Sequence, residues 1–349
     1  MPRPDASIGA IIVNYRTPDL AIECLASLDA ERRLVPNLRV ILVDGGSGDE
    51  SDERIAEAIA ARGYGDWATL LPLKVNGGFG YANNQAIYAL RDGGGLPDGI
   101  CLINPDARAR PGALATLRDR LFSAPRIGAV GARLEREDAS IQGSAFLFPS
   151  IRSEFCRGAR TDILRRLLRQ PHHVIITEAA RPVPWVTGAA VLFRREALEE
   201  VGLFDDGFFL YFEETELMHR LTRAGWEIWH EPAARVVHIG GQATKVQNIR
   251  AGRASSPRLP RYWYNSRRRY FVRTGGALRM IAAGIAYLAG RLFWQVRCAL
   301  TGRVDDDPLR TTRDFIAYAS YPRAEDRRAI VPSLSGAAGA PPAWKNAGR

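Results

Sequence analysis

IGAIIVNY at residues 8–15, RTPD at 16–19 and LAIECLASL at 20–28 form one block: an apolar run, a turn and a helix-period segment. The run is too short for a core helix and is apolar throughout rather than alternating. It therefore predicts a strand buried on both faces, and Pro18 suits the first turn of the helix that follows. The block recurs, with strands predicted at 38–43, 68–73 and 99–103 and helices at 50–62, 81–90 and 111–122. Four strand-helix units predict an α/β fold with a mostly parallel, Rossmann-like sheet covered by helices on both faces. Ligands of such sheets sit at the carboxyl ends of the strands. Those ends carry Asn14-Tyr15-Arg16, Asp44-Gly45-Gly46-Ser47, Asn76 through Gly80, and Asn104-Pro105-Asp106.

After about Gly131 the alternation stops. A less regular half, 132–245, follows the regular half, 1–131, and is predicted to pack on the same sheet. It contains Trp185 through Ala190, the acidic stretch DDGFFLYFEETEL at 205–217, and Val236-Val237-His238. In the acidic stretch, Phe208, Phe209, Tyr211 and Phe212 would exclude water from the carboxylates behind them, raising a pKa toward the range of a general base. The plain alternative is a solvated first helical turn, where acids favour the helix dipole.

From Arg250 to Arg273 arginines interleave with aromatic residues, and from Met280 to Gly290 eleven residues carry no charge. Eleven is too few to cross a bilayer, and extension to Leu300 brings in Arg291 and Arg297. Wound as a helix, the segment fits either an amphipathic element on an acidic membrane or a helix packed on the domain. Residues 246–330 thus read as a helical, basic-aromatic, membrane-associating extension, and the Gly, Ala, Ser and Pro-rich tail 331–349 reads as disordered.

The net charge of +10 points to anionic partners such as diphosphates or an acidic membrane surface, with nucleic acid ranked last. Cys24, Cys101, Cys156 and Cys298 form no CxxC pair and read as reduced thiols of a cytoplasmic protein; no signal peptide is discerned at the start. The first strand-helix turn lacks the glycines of a dinucleotide-binding fingerprint, no Gly-Lys pair exists for a P-loop, and there is no G-x-S-x-G elbow. What remains is a set of isolated polar residues at strand ends. Asp44 would suit a base or ribose, or only a turn; Asp106 would suit a divalent cation, or only a turn or cap; His238 alone would more often be structural.

Their order is specific. Val13-Asn14-Tyr15, Val43-Asp44, Asn76 through Asn84, Asn104-Pro105-Asp106, Gly188-Ala189, Phe204 through Leu217 and His238 resemble, in sequence, the family 2 glycosyltransferases of GT-A fold, and most of all their bacterial rhamnosyltransferase branch. The resemblance covers residues 8–241 and implies one GT-A domain, 1–245, with a nucleotide-binding half, 1–131, and an acceptor and catalytic half, 132–245. It implies that Asn14, Tyr15 and Asp44 hold the nucleoside, that Asn76 and Asn83 shape its pocket, and that Asp106 and His238 bind Mg2+ or Mn2+. Glu214 would be the base, with Glu213 beside it. Three positions depart from the family pattern: Asn104 for the first acid of D-x-D, Gly45 for an Asn, and Glu216 for an Asp. The implied function is inverting transfer of a sugar, rhamnose favoured, from dTDP-rhamnose or a UDP-sugar to a polysaccharide or lipid-linked glycan at the inner face of the cell membrane. Two rivals are a non-catalytic scaffold of the same fold, disfavoured by the intact acids, and a sugar-nucleotidyltransferase, disfavoured because Arg16 is the only basic residue at the first turn.

Overall fold

The computed structural model of the chain describes residues 3–240, 258–305 and 307–338. Strands β1 (Ile8–Asn14), β2 (Leu38–Asp44), β3 (Ala68–Pro72) and β4 (Gly99–Ile103) alternate with helices α1 (Pro18–Asp29), α2 (Ser51–Ala61), α3 (Phe79–Asp92) and α4 (Ala113–Leu121), and β5 (Ala107–Ala109) lies between β4 and α4. The sequence placed each of these four strands and four helices to within two residues of its observed ends. β3, β2, β1 and β4 are neighbours and all parallel. Successive side chains point to opposite faces, so Ile8, Ala10 and Ile12 join one apolar layer with α1 and α4, while Ile11 and Val13 join the other with α3. That two-sided burial is why these strands read as unbroken apolar runs.

The second half extends the same sheet. It comprises β6 (Ile127–Glu135), β7 (Ile141–Gln142), β8 (Ala145–Phe146), α5 (Ile151–Ala159), α6 (Asp162–Leu167), β9 (Val174–Ile175), β10 (Arg181–Pro182), β11 (Trp185–Val186), β12 (Ala190–Arg194), α7 (Arg195–Val201), α8 (Glu213–Arg223) and β13 (Glu227–His238). β12 inserts antiparallel between β4 and β6, and β13 runs parallel to β6. Two reversals restore direction, so β13 points the same way as β4. His238, its last residue, therefore reaches the edge already occupied by the ends of β1, β2 and β4.

The C-terminal part comprises α9 (Arg261–Thr301), α10 (Thr311–Ala319) and α11 (Ala324–Arg327), with α9 bent where Gly276 leaves helical geometry at φ 77°. Here the structure corrects one expectation. The arginines before the bend do not form a membrane-facing band: Arg267, Arg268 and Arg269 are buried, paired with Glu154, Asp326 and Asp205 respectively. Burying a guanidinium is tolerable only with such partners, and nearly all of these come from distant segments of the chain. The tail expected to be structureless is laid against the domain over its first residues: Leu203 N–H donates to Pro332 O (2.9 Å) and Tyr88 Oη to Ser333 O (3.1 Å), next to the contact of Asp206 N–H with Ile330 O (2.9 Å) just before it. The expected boundary at 245/246, the 250–257 part of the arginine-aromatic segment and the tail beyond 338 lie outside the described residues.

Candidate active site

Four loops meet along the carboxyl edge of the sheet. In the first two, Asn14 and Asp44 stand opposite each other in register, and Asn14 Nδ2 donates to Asp44 Oδ1 at 2.8 Å. Asp44 also accepts from Ser47 N–H (2.9 Å) and Ser47 Oγ (2.5 Å), while Asn14 Oδ1 accepts from Thr17 N–H (3.1 Å) and Thr17 Oγ1 (3.2 Å). Asn14 is fully buried and its amide is committed at both ends. Its side chain orders the loop and offers a nucleoside no surface of its own. Asp44 uses three of roughly four acceptor positions, which leaves it one outward contact. Tyr15 is half-buried beside Arg16, whose guanidinium lies 5.2 Å from the ring centroid. A Cβ at Gly45 would sit 3.0 Å from Asn14 O, so a larger residue there would need the neighbouring backbone to give by a few tenths of an ångström.

In the third loop Asn76 Oδ1 accepts from Gly78 N–H at 3.0 Å and so fixes the turn into α3. Gly78 has φ 90°, and a Cβ on it would lie 1.8 Å from Phe209 O, which instead accepts from Phe79 N–H (3.0 Å). Only glycine permits that approach. Asn83 is buried in α3 with Nδ2 bound to Phe79 O at 2.8 Å. Its neighbour Asn84, which the sequence reading passed over, staples the acidic loop through Phe204 N–H and O (3.0 and 2.9 Å) and Asp206 Oδ1 (2.8 Å). Asp206 is pushed up to about 6, chiefly by burial.

The fourth loop brings Asp106 to His238. His238 Nε2 lies 3.4 Å from Asp106 Oδ1 and 3.4 Å from Asn104 Nδ2, and its Nδ1 lies 2.9 Å from Gln142 Oε1. With Gln142 accepting from Nδ1–H, the Nε2 lone pair is left facing the carboxylate. Two electron-rich atoms held together at this spacing suit adjacent positions around one small cation, with Gln142 as the outer support that orients the ring. Among the described residues no third His, Cys, Asp or Glu joins them. The pair fits a divalent ion that takes its other ligands from substrate and water. Nothing in the sequence singled out Gln142, which lies in a two-residue strand of the irregular half.

Glu213 and Glu214 open α8 after Tyr211 and Phe212, both of which hold positive φ (70° and 69°). Each glutamate has one buried carboxylate oxygen without a hydrogen-bond partner among the described residues. Burial raises Glu213 well above the ordinary range, and Glu214 adds to the rise; Glu214 is raised too, by burial, against backbone hydrogen bonds at its own residue, Gly188 and Thr215. The two point differently. A Cβ on Gly80 would lie 3.6 Å from that of Glu213, packing this acid against α3, whereas one on Gly188 would lie 3.9 Å from that of Glu214. Gly188 precedes Ala189, whose carbonyl accepts from Asn104 N–H at 2.9 Å. Glu214 and the Asp106–His238 pair thus flank one short segment. Glu216, by contrast, is buried against Arg220, which caps α7 through Val201 O and Leu203 O.

A second layer comes from α9. Asp205 is fully buried and accepts from Arg269 Nη2 with both oxygens (2.6 and 2.8 Å), with Arg273 Nε 3.4 Å away. Arg269 and Arg273 are four residues apart and share a helix face. That spacing was legible in the sequence; the acid they face was not.

The profile of the family described as Glycosyltransferase like family 2 matches residues 4–255. The N-acetylglucosaminyl-diphospho-decaprenol L-rhamnosyltransferase of two Mycobacterium tuberculosis strains is 32% identical over 217 residues, 59% of this chain and 67% of the relative. Among solved structures, the mannosyltransferase PcManGT from Pyrobaculum calidifontis in complex with GDP-Man and Mn2+ shares the fold at TM-score 0.52 and 16% identity, over 91% of this chain and 82% of that one. GalNAc-T7 with UDP, GalNAc and Mn2+ aligns at TM-score 0.47 and 14% identity, over 67% of this chain and 44% of that chain. The chain belongs to the family 2 glycosyltransferases, in their rhamnosyltransferase-like branch, and is an enzyme that transfers sugar from a nucleotide-sugar donor.

Proposed function

We propose that the enzyme transfers a hexose, rhamnose by preference, from dTDP-rhamnose or a UDP-sugar to a hydroxyl of a lipid-linked glycan, with inversion at the anomeric carbon. The observation that carries this reading is the segment Gly188–Ala189, which both Glu214 and the loop of Asn104, Asp106 and His238 adjoin. A base and a cation-holding pair gathered at one short stretch suit displacement of a diphosphate by an acceptor hydroxyl. The acceptor oxygen forms the new bond to the anomeric carbon as the bond to the diphosphate breaks. Glu214 takes the acceptor's proton, and the nucleoside diphosphate leaves with the electron pair. The raised Glu214 carboxyl suits that task, since a base poised nearer neutrality is the stronger acceptor. Asp106 and His238 would hold a divalent cation, whose charge, when it is bound, offsets that of the leaving diphosphate. Asp44 would take one donor hydrogen bond from base or ribose, with Tyr15 beside it.

The proposed acceptor class is supported by the printed name of the mycobacterial relative, a sugar on a diphosphate-linked decaprenol, and a lipid-linked acceptor of that kind fits a reaction at the inner face of a membrane. The test is nucleotide release from a panel of nucleotide sugars with a diphospho-lipid acceptor, with and without Mg2+ or Mn2+. One donor should turn over, metal-dependently, and Asp106→Ala should abolish the metal response. Glu214→Gln should lower kcat by about 10²-fold or more, the usual worth of a general base. A Glu214→Gln enzyme that kept most of its kcat would remove Glu214 from the mechanism.

A further inference from the structure

Beyond the Gly276 bend, α9 has two unlike faces. One is built into the protein: Ala283, Tyr287, Trp294 and Cys298 are buried, and Gly290 packs so tightly on α5 that a Cβ would lie 2.2 Å from Phe155 O. Tyr287 packs on Phe315 of α10 with the rings tilted and their centroids 4.3 Å apart. The other face carries Leu278, Ile281, Ile285, Leu292, Val296 and Leu300, which at 100° per residue fall within an arc of roughly 100° along about 33 Å of helix. Leu278 is 83% exposed, Ile285 64%, Leu292 62% and Leu300 81%. A ridge of that length is far more apolar surface than scattered exposed residues account for.

Charge identifies what covers it. Residues 276–304 contain Arg279, Arg291, Arg297 and Arg303 and no acid. Among the described residues the acids nearby are ion-paired: Asp305 and Asp307 with Arg291 (3.0 and 2.8 Å), Asp314 with Arg258 (2.6 Å), and Asp162 with Arg165 (2.9 Å). Arg303, Arg310 and Arg313 are exposed. Helix α6 adjoins the same end, because Arg160 before it lies 5.0 Å over the Trp294 ring. It adds exposed Ile163 and Leu167, four residues apart, with exposed Arg166 and Arg169. Two copies joined through this ridge would set arginines against arginines. α9 is long and apolar enough by composition to cross a membrane. Against crossing, Arg291 sits mid-helix, tied to Asp305 and Asp307, and the rear face is packed on α5 and α10.

We propose that this ridge and its basic surround lie in the plane of an acidic phospholipid bilayer and hold the enzyme there, the apolar side chains in the interface and the arginines among the headgroups. The same helix, before its bend, holds the loop that leads into Glu214, through Arg269 on Asp205 and Ser266 Oγ on Leu210 O (2.9 Å). One element therefore joins bilayer and catalytic loop. The inference deepens the lipid-linked acceptor reading but rests on residues outside the site.

The test is co-sedimentation of the full chain with vesicles of phosphatidylcholine alone, or mixed with phosphatidylglycerol, at low and high salt, without donor. Wild type should bind the anionic vesicles at least about 10-fold more tightly and lose that preference in high salt. Ile285→Glu with Leu292→Glu should abolish binding. Arg303→Glu with Arg310→Glu, which leaves the ridge intact and guards against misfolding of the first variant, should remove the anionic preference. Wild type left in the supernatant with anionic vesicles at low salt would overturn the proposal. So would a dimer that the ridge variant converts to monomer without any vesicle binding. Because no donor is present, failure of the transferase assignment leaves this result readable.

Discussion

Replacing Arg269 with Met tests how α9 supports the catalytic loop. Methionine keeps much of the length and apolar contact of arginine, so the change removes mainly charge and hydrogen bonds. Asp205 would then keep Gly207 N–H at 2.9 Å and Arg273 Nε at 3.4 Å, having lost both of its short charged contacts. The Glu325 and Arg328 carbonyls, which Arg269 also serves, would lose a donor. Removing one partner of a buried ion pair costs about 3–5 kcal/mol, most of it the penalty on the carboxylate left behind. At about 2 °C per kcal/mol for a chain of this size, the melting temperature should fall by roughly 6–10 °C. Asp205→Asn alone leaves the arginine unpaired and should also destabilise. The double variant should lose clearly less than the sum of the singles. Thermal melts of the three variants give the coupling directly. In donor turnover Arg269→Met should lower kcat more than it raises donor KM, since Asp205 anchors the segment leading to Glu214. Strict additivity, or a loss below about 1 kcal/mol, would refute the clamp.

Glu213 supplies a pH test. Its folded pKa lies above the ordinary 4.5, so the folded state favours the neutral acid, and stability is lost as pH rises from about 4.5 toward the folded value. Glu213→Gln should melt close to wild type at acid pH and above it at neutral pH; a gap that is constant with pH would contradict the burial argument. Gly78→Ala should push the Asn76–Gly80 turn off Phe209 O, costing roughly 1–3 kcal/mol of backbone strain and lowering kcat, as melts and nucleotide release would show. An alanine variant with wild-type melting and activity would mean the two loops separate without consequence.

Apolar periodicity made the first half of the fold readable, because strands buried on both faces and the helices over them impose different repeats on the same short stretches. It also located the polar residues that end those strands. Ile8–Asn14, Leu38–Asp44 and Gly99–Ile103 needed no partner information to be recognised. From Gly131 onward the sheet is completed by strands that reverse direction, and no local pattern announces that β12 inserts between β4 and β6. Long-range pairing alone brings His238 to Asp106, Gln142 to His238, and Gly188 to Glu214. The arginine-aromatic segment shows the limit most plainly. Its composition was read as a surface for anions, yet whether a guanidinium meets lipid or carboxylate depends on which distant segment folds against it, and Asp205, Glu154 and Asp326 turned it inward. The sequence by itself determined the parallel half-sheet and the kinds of side chain at its edge. Tertiary structure decided which of those groups touch and which face of α9 stays apolar and open, because both follow from contacts between residues far apart in the chain.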